Sequence, residues 1–243
     1  MSHVYCCSDL HGQYKLWEQI KKMVCADNSI CYILGDCADR GVDGYKILNE
    51  VLADPEHFIL LYGNHEDLFV NVMTHPNMDN IYCHCMNGGE PTINAWLDDG
   101  ASKEFAEKLM ALPLYKTYVN AQEQQIILTH AGFTPDSNLT IPKDKNEIIW
   151  NREHFHDEWD NGLSNTIIVH GHTPVTALLS YGFNDVPYDY DDIYPYFYCK
   201  DNNGQFHKVD IDCCSAFTRC TVLLDLDTWE YTTIKEGDAF IND

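Results

Sequence analysis

Positive charge is what this sequence has least of. Only three arginines occur, Arg40, Arg152 and Arg219, and basic residues number 15 against 38 acidic ones. The formal charge of −23 excludes the basic face that nucleic-acid binding requires. It also excludes a polybasic patch for anionic membranes. No apolar run approaches the ~18–20 residues of a spanning helix, so no membrane span is expected. The opening residues MSHVYCCSDLHG carry neither a basic n-region nor an apolar h-region, so a secretion signal is not expected. No stretch rich in proline, glycine or serine divides the chain, and residues 1–243 are read as one domain. No CxxC pair exists. With no secretion signal expected, the eleven cysteines are read as reduced thiols of a cytoplasmic protein. Cys83-His84-Cys85 offers half of a zinc site with no second half.

What is present is an ordinary globular composition, 45% hydrophobic and 22% charged, long enough to bury a core without staples. Short apolar runs rich in β-branched and aromatic residues end abruptly in Gly, Asp, Asn or His. These runs are residues 3–7, 30–34, 57–62, 125–128 and 166–169, and they predict buried strands. Residues 13–25, with Leu16, Ile20, Met23 and Val24 at helical spacing, predict a helix. Residues 42–52 and 103–112 predict two more. Strand–helix alternation implies an α/β fold with much parallel sheet. Towards the C-terminus, residues 207–212, 220–226 and 228–234 read as a strand meander. Residues 181–204, rich in tyrosine and aspartate, read as a long ordered loop near the site.

The strand ends carry Asp9, His11, Asp36, Asn64, His130 and His172. In an open α/β sheet such ends converge on the edge where ligands bind. Two carboxylates, three imidazoles and an amide form a thiolate-free N/O donor set, which suits Mn, Fe or Zn. Six donors exceed one tetrahedral ion. They suit two divalent ions sharing a carboxylate, the arrangement that hydrolyses phosphate esters.

Ser8-Asp9-Leu10-His11-Gly12, Gly35-Asp36-Cys37-Ala38-Asp39-Arg40-Gly41 and Gly63-Asn64-His65-Glu66 resemble the three blocks of the PPP-type (calcineurin-like) metallophosphoesterases. The usual forms of those blocks are GDxHG, GDxVDRG and GNHE. His130-Ala131-Gly132 and Gly171-His172-Thr173-Pro174 resemble the later blocks. Ile149-Trp150-Asn151-Arg152-Glu153 resembles the arginine block of bacteriophage lambda-type and bacterial serine/threonine protein phosphatases. Ser8 stands for the usual first glycine and Ala38 for valine. Ile211-Asp212-Cys213-Cys214 stands where relatives often have an Asp-Thr-Gly-Ala turn.

The resemblance implies two packed mixed β-sheets flanked by helices, an α/β/β/α sandwich. It implies that Asp9 and His11 bind one metal, that Asp36 bridges, and that Asn64, His130 and His172 bind the second. Two Mn²⁺ ions, with Fe or Zn as substitutes, would share a hydroxide that attacks phosphorus in line. His65 would be the general acid, oriented by Asp39. Arg40 and Arg152 would clamp the phosphoryl oxygens, with Asn64 also facing the substrate. The expected activity is phosphomonoester hydrolysis, with phosphoserine or phosphothreonine in a protein as substrate. The alternative is a symmetrical dinucleoside tetraphosphatase, although such enzymes generally lack the Asp-Arg pair of Asp39-Arg40, the GNHE block and the Trp-Asn-Arg block.

Overall fold

A computed structural model describes residues 2–134, 140–155, 165–187, 193–200 and 203–237. In chain order its elements are β1 (Val4–Cys7), α1 (Tyr14–Ala26), β2 (Ile30–Ile33), α2 (Gly44–Ala53), β3 (Phe58–Leu60) and α3 (Asn64–Thr74). Three helices follow, α4 (Met78–Met86), α5 (Glu90–Asp98) and α6 (Lys103–Met110). Then come β4 (Tyr115–Val119), β5 (Gln125–Thr129), α7 (Asn146–Ile149), β6 (Thr166–His170) and β7 (Tyr196–Tyr198). The C-terminal elements are β8 (Lys208–Asp210), α8 (Ser215–Thr218), β9 (Cys220–Asp225) and β10 (Tyr231–Lys235).

Two mixed five-stranded sheets result, ordered β10-β9-β1-β2-β3 and β4-β5-β6-β8-β7. In the first, β1, β2 and β3 run parallel and β9 is antiparallel to β1. In the second, β5, β6 and β8 run parallel, edged by antiparallel β4 and β7. The period-2 alternation of a strand explains why the runs read as continuously apolar. Cys6, Leu34 and Leu61 face Ile126, Leu128, Ile167 and Val169 between the sheets. Their neighbours Cys7, Ile33 and Leu60 face α1, α2 and α3 on the other side. Both faces are buried, so both sets must be apolar. Helix α1 buries Leu16, Trp17, Ile20 and Val24, each contributing roughly 1.5–3 kcal/mol of transfer free energy. No helix among the described residues is long and apolar enough to cross a membrane.

The two-sheet fold and the three predicted helices match the expectation, but two readings need correction. The C-terminal strands are not one meander. β8 joins the second sheet beside β6, while β9 and β10 form a hairpin on the first. Residues 181–204 are not all loop either. A 3-10 helix, Val175–Tyr181, ends at the segment's first residue, and within the segment β7 pairs with β8. Residues 188–192 and 201–202 of that segment lie outside the described residues.

Candidate metal centre and active site

The parallel strands β1 and β2 deliver Asp9 and Asp36 just past their ends, β3 delivers Asn64, and β5 and β6 deliver His130 and His172. The backbone turns sharply there. Asp9, His11, Asp36, Asp39, Arg40 and His172 all adopt positive φ, between 42° and 69°. Such angles are costly for residues with a Cβ and concentrate at functional sites. Close approach explains two of the glycines. A Cβ on Gly35 would lie 2.7 Å from His130 Nδ1, and one on Gly171 would lie 2.2 Å from Asp9 Oδ2.

Asp36 is at the centre. Its Oδ2 lies 3.7 Å from His11 Nε2, and its Oδ1 lies 3.5 Å from His130 Nε2. The two imidazoles are held from behind. His11 Nδ1 is 3.0 Å from the Ala38 carbonyl and His130 Nδ1 is 2.7 Å from that of Leu34. A carbonyl only accepts, so each Nδ1 carries the proton and each Nε2 turns a lone pair inward, the orientation a metal-ligating histidine needs. Asn64 Oδ1 lies 2.8 Å from His130 Nε2 and 2.9 Å from His172 Nδ1. His172 Nε2 is buried without a hydrogen-bond partner among the described residues. Asp9 takes the His172 amide on Oδ2 at 3.0 Å, with Ser8 Oγ as a second donor to the same oxygen. Its Oδ1 lies 3.8 Å from His11 Nε2. All six residues expected to bind metal are therefore brought together and buried. Two groups meet at Asp36, one with His11 and His65 and one with His130 and His172, and each could hold a cation.

Electrostatics point the same way. Burial pushes the Asp36 carboxyl well above its usual range. His65 opposes that shift, while Asp9 and Glu66 add to it. Burial likewise holds His11 well below the usual imidazole value, helped by His65 and Arg40, and does the same to His172. In each case burial disfavours the charged form.

The four further site residues border this cluster, Asp39 and His65 buried beneath Arg40. Arg40 Nη1 is 2.8 Å from His11 Nε2 and Nη2 is 3.1 Å from His65 Nε2. His65 Nδ1 donates to Asp39 Oδ2 at 2.8 Å. Burial works against the His65 cation, but Asp36 and Asp39 prevail and raise its pKa. Arg152 Nε donates to Thr173 Oγ1 at 3.1 Å, beside His172. A cleft of about 610 Å³ opens beside Arg40, with Lys15 and Arg219 in its wall.

The sequence profile of the calcineurin-like phosphoesterases matches residues 2–210. The chain belongs to this family. Calcineurin-like phosphoesterases bind divalent metals, and the buried N/O donors around Asp36 fit that requirement. A curated relative, the symmetrical bis(5'-nucleosyl)-tetraphosphatase of Delftia acidovorans, is 25% identical over 134 residues, 54% of this chain. The chain spans about half the length of that relative, 45%. A solved structure assigned as a diadenosine tetraphosphatase covers 98% of this chain and 95% of its own, with a TM-score of 0.58 and 12% identity. A serine/threonine protein phosphatase from Saccharomyces cerevisiae covers 98% of this chain and 81% of its own, with a TM-score of 0.55 and 15% identity. These two structures share the fold.

Sequence reading missed several supports of this phosphoesterase site. The Glu66 carboxylate accepts the backbone N–H groups of Asp36 (2.8 Å), Cys37 (2.9 Å), Ala38 (3.3 Å) and Gly63 (3.1 Å). It ties the Asp36 turn to the start of α3. Ser215 Oγ donates to the Asp9 carbonyl. The Cys83-His84-Cys85 half-site does not form. Cys83 is exposed while His84 is fully buried and points inward.

Proposed function

We propose that this calcineurin-like phosphoesterase is a two-metal hydrolase whose first substrate class is the symmetrical dinucleoside tetraphosphate. The hydrolase reading is carried by Asp36, whose two oxygens face His11 on one side and His130 on the other. Asp9 and His11 would hold one cation, and Asn64, His130 and His172 the second, with Asp36 shared. Two such cations supply Lewis acidity and lower the pKa of water. The chain's own groups do the rest. Arg40 and Arg152 bind phosphoryl oxygens, for which guanidinium forks are suited. The Arg40 guanidinium moves off His11 Nε2 to do so, because that single lone pair cannot serve Arg40 and a cation together. His65, oriented by Asp39, is placed to hand a proton to the departing oxygen where that oxygen needs one.

The substrate class rests on the named relative, and the cleft beside Arg40 leaves room for the rest of a dinucleotide. A second reading, hydrolysis of phosphoserine or phosphothreonine in proteins, is favoured by one observation, the hydrogen-bonded Asp39–His65 pair. A nucleoside diphosphate departs carrying its own charge, whereas a serine alkoxide needs a proton. The deciding experiment compares kcat/KM on diadenosine tetraphosphate and on a phosphoserine peptide, each with Mn²⁺ and with chelator. The tetraphosphate is expected to win by about tenfold or more, ~1.4 kcal/mol of transition-state binding, and chelator to abolish both. A reversed preference installs the protein-phosphatase reading. Activity that survives chelation sinks the two-metal reading altogether.

A further inference from the structure

Asp39 has a second partner. Its Oδ2 receives His65 Nδ1 at 2.8 Å and also His84 Nε2 at 2.7 Å. Asp39 and His84 are fully buried and His65 nearly so. Burial opposes the Asp39 charge, yet hydrogen bonds from both imidazoles hold its pKa below the usual carboxylate range. An ionised carboxylate only accepts, so both facing nitrogens must carry protons. Asp39 Oδ1 and His84 Nδ1 have no hydrogen-bond partner among the described residues. The whole interaction is concentrated on one oxygen.

The segment around His84 is shaped to the Asp39-Arg40 turn. The Gly88 carbonyl accepts the Arg40 N–H at 2.8 Å, and Thr92 Oγ1 accepts the Asp39 N–H at 3.0 Å. The His84 ring stacks on Phe69, 5.5 Å between centroids at 26°. On its other side lies Gly89, where a Cβ would come within 2.2 Å of His84 Cδ2. The imidazole is thus slotted between α3 and the loop after α4, with only Nε2 directed at a polar partner. Asp39 and Arg40 hold positive φ, 68° and 61°, and such a turn needs restraint from outside.

We propose that His84 is a positioning residue, the third member of a His84–Asp39–His65 chain that fixes the proton-donating imidazole. The inference rests on the reading of His65 as the group that protonates the leaving oxygen. With His84 in place, Asp39 cannot rotate about its Cβ–Cγ bond, and His65 keeps its Nδ1–H on the carboxylate and Nε2 towards the substrate. Without the second donor, Oδ1 and Oδ2 become equivalent and His65 loses its fixed orientation. A misplaced acid matters only where the leaving oxygen needs its proton.

The test uses two small esters in the Mn²⁺-loaded protein. One is phenyl phosphate, with a phenol near pKa ~10 like tyrosine; the other is 4-nitrophenyl phosphate, whose leaving group departs without help. His84→Met removes the donor at similar volume, while His84→Gln keeps an amide N–H near the Nε2 position. His84→Met is expected to lose about tenfold or more in kcat on phenyl phosphate, with KM unchanged, and less than about threefold on the nitrophenyl ester. His84→Gln should recover most of that loss. Equal losses on both esters overturn the proposal, as does a folded His84→Gln no better than His84→Met. His65→Asn serves as the control. Should it lose equally on both esters, the acid role of His65 is what fails. The far-downfield proton resonance of His65 Nδ1–H in the metal-free protein then judges the positioning separately. It should broaden through solvent exchange in His84→Met, and an unchanged resonance there rejects the positioning role.

Discussion

At the scale of single residues, the Asp36 carboxylate is at odds with its surroundings. It is buried, accepts the His65 N–H at 3.0 Å, and faces Asp9 and Glu66. Evolution tolerates a destabilised group where a ligand relieves it. Asp36→Asn separates the two effects, because the amide oxygen still accepts the His65 N–H while the charge is gone. In chelator, Asp36→Asn should melt at or above the temperature of the native sequence, since an unfavourable buried charge has been removed. With Mn²⁺ the order should invert. A ligand at 100 times its dissociation constant stabilises by about 2.7 kcal/mol, and a variant lacking the shared carboxylate should forgo most of that. Thermal unfolding with and without Mn²⁺ reads both. An equal metal-induced shift in the two proteins would remove Asp36 from its bridging position.

At the scale of elements, legibility followed burial. The buried strands and α1 announced themselves because each hides an apolar face, and Asp9, Asp36, Asn64, His130 and His172 were legible because they end those runs. Helices α4 and α5 left almost no such trace. Each buries a single side chain, His84 and Thr92 respectively, and both are polar. With no apolar stripe to read, the support they give Asp39 stayed hidden. Helix α3 was masked because Gly63-Asn64-His65-Glu66 reads as a turn, whereas Asn64–Thr74 is helical from its first residue. Strand β4 was missed because it is a largely exposed edge. Strand β7 was obscured by its tyrosine-rich surroundings, and it does more than decorate. Tyr198 Oη lies 2.7 Å from His170 Nε2 and 3.2 Å from His154 Nε2. The backbone N–H of His154 in turn bonds Asn151 Oδ1, next to Arg152. Shortening residues 188–198 would therefore delete a strand and not merely trim a loop. Tyr198→Phe is the cleaner probe. It keeps the ring against Phe155 and Phe183 but orphans buried imidazole nitrogens, which costs about 1–3 kcal/mol. The urea midpoint should fall with the slope unchanged, and an unchanged midpoint would mean that the hydroxyl bonds contribute nothing.

At the scale of the whole molecule, the charge of −23 opposes the phosphate chemistry proposed for the site. Two of the three arginines stand at that site, Arg40 and Arg152, and the third, Arg219, shares the adjoining cleft wall with Arg40 and Lys15. The same cleft carries Glu18, Asp43 and Glu236, so it is not a strongly positive funnel. An approaching polyanion feels the acidic surface first and the basic groups only at short range. Raising ionic strength from about 0.01 M to about 0.15 M shortens the screening length from ~30 Å to ~8 Å. That weakens the distant repulsion far more than the contacts within the cleft. For diadenosine tetraphosphate, kcat/KM should therefore rise with salt, by about threefold or more, while kcat stays nearly constant. A phosphopeptide flanked by lysines should respond in the opposite direction, because the acidic surface attracts it. The sign of the salt dependence separates the two substrate classes by their encounter with the protein, independently of their chemistry. A tetraphosphate rate that falls with salt would mean that the local field of the arginines and metals reaches beyond the acidic surface.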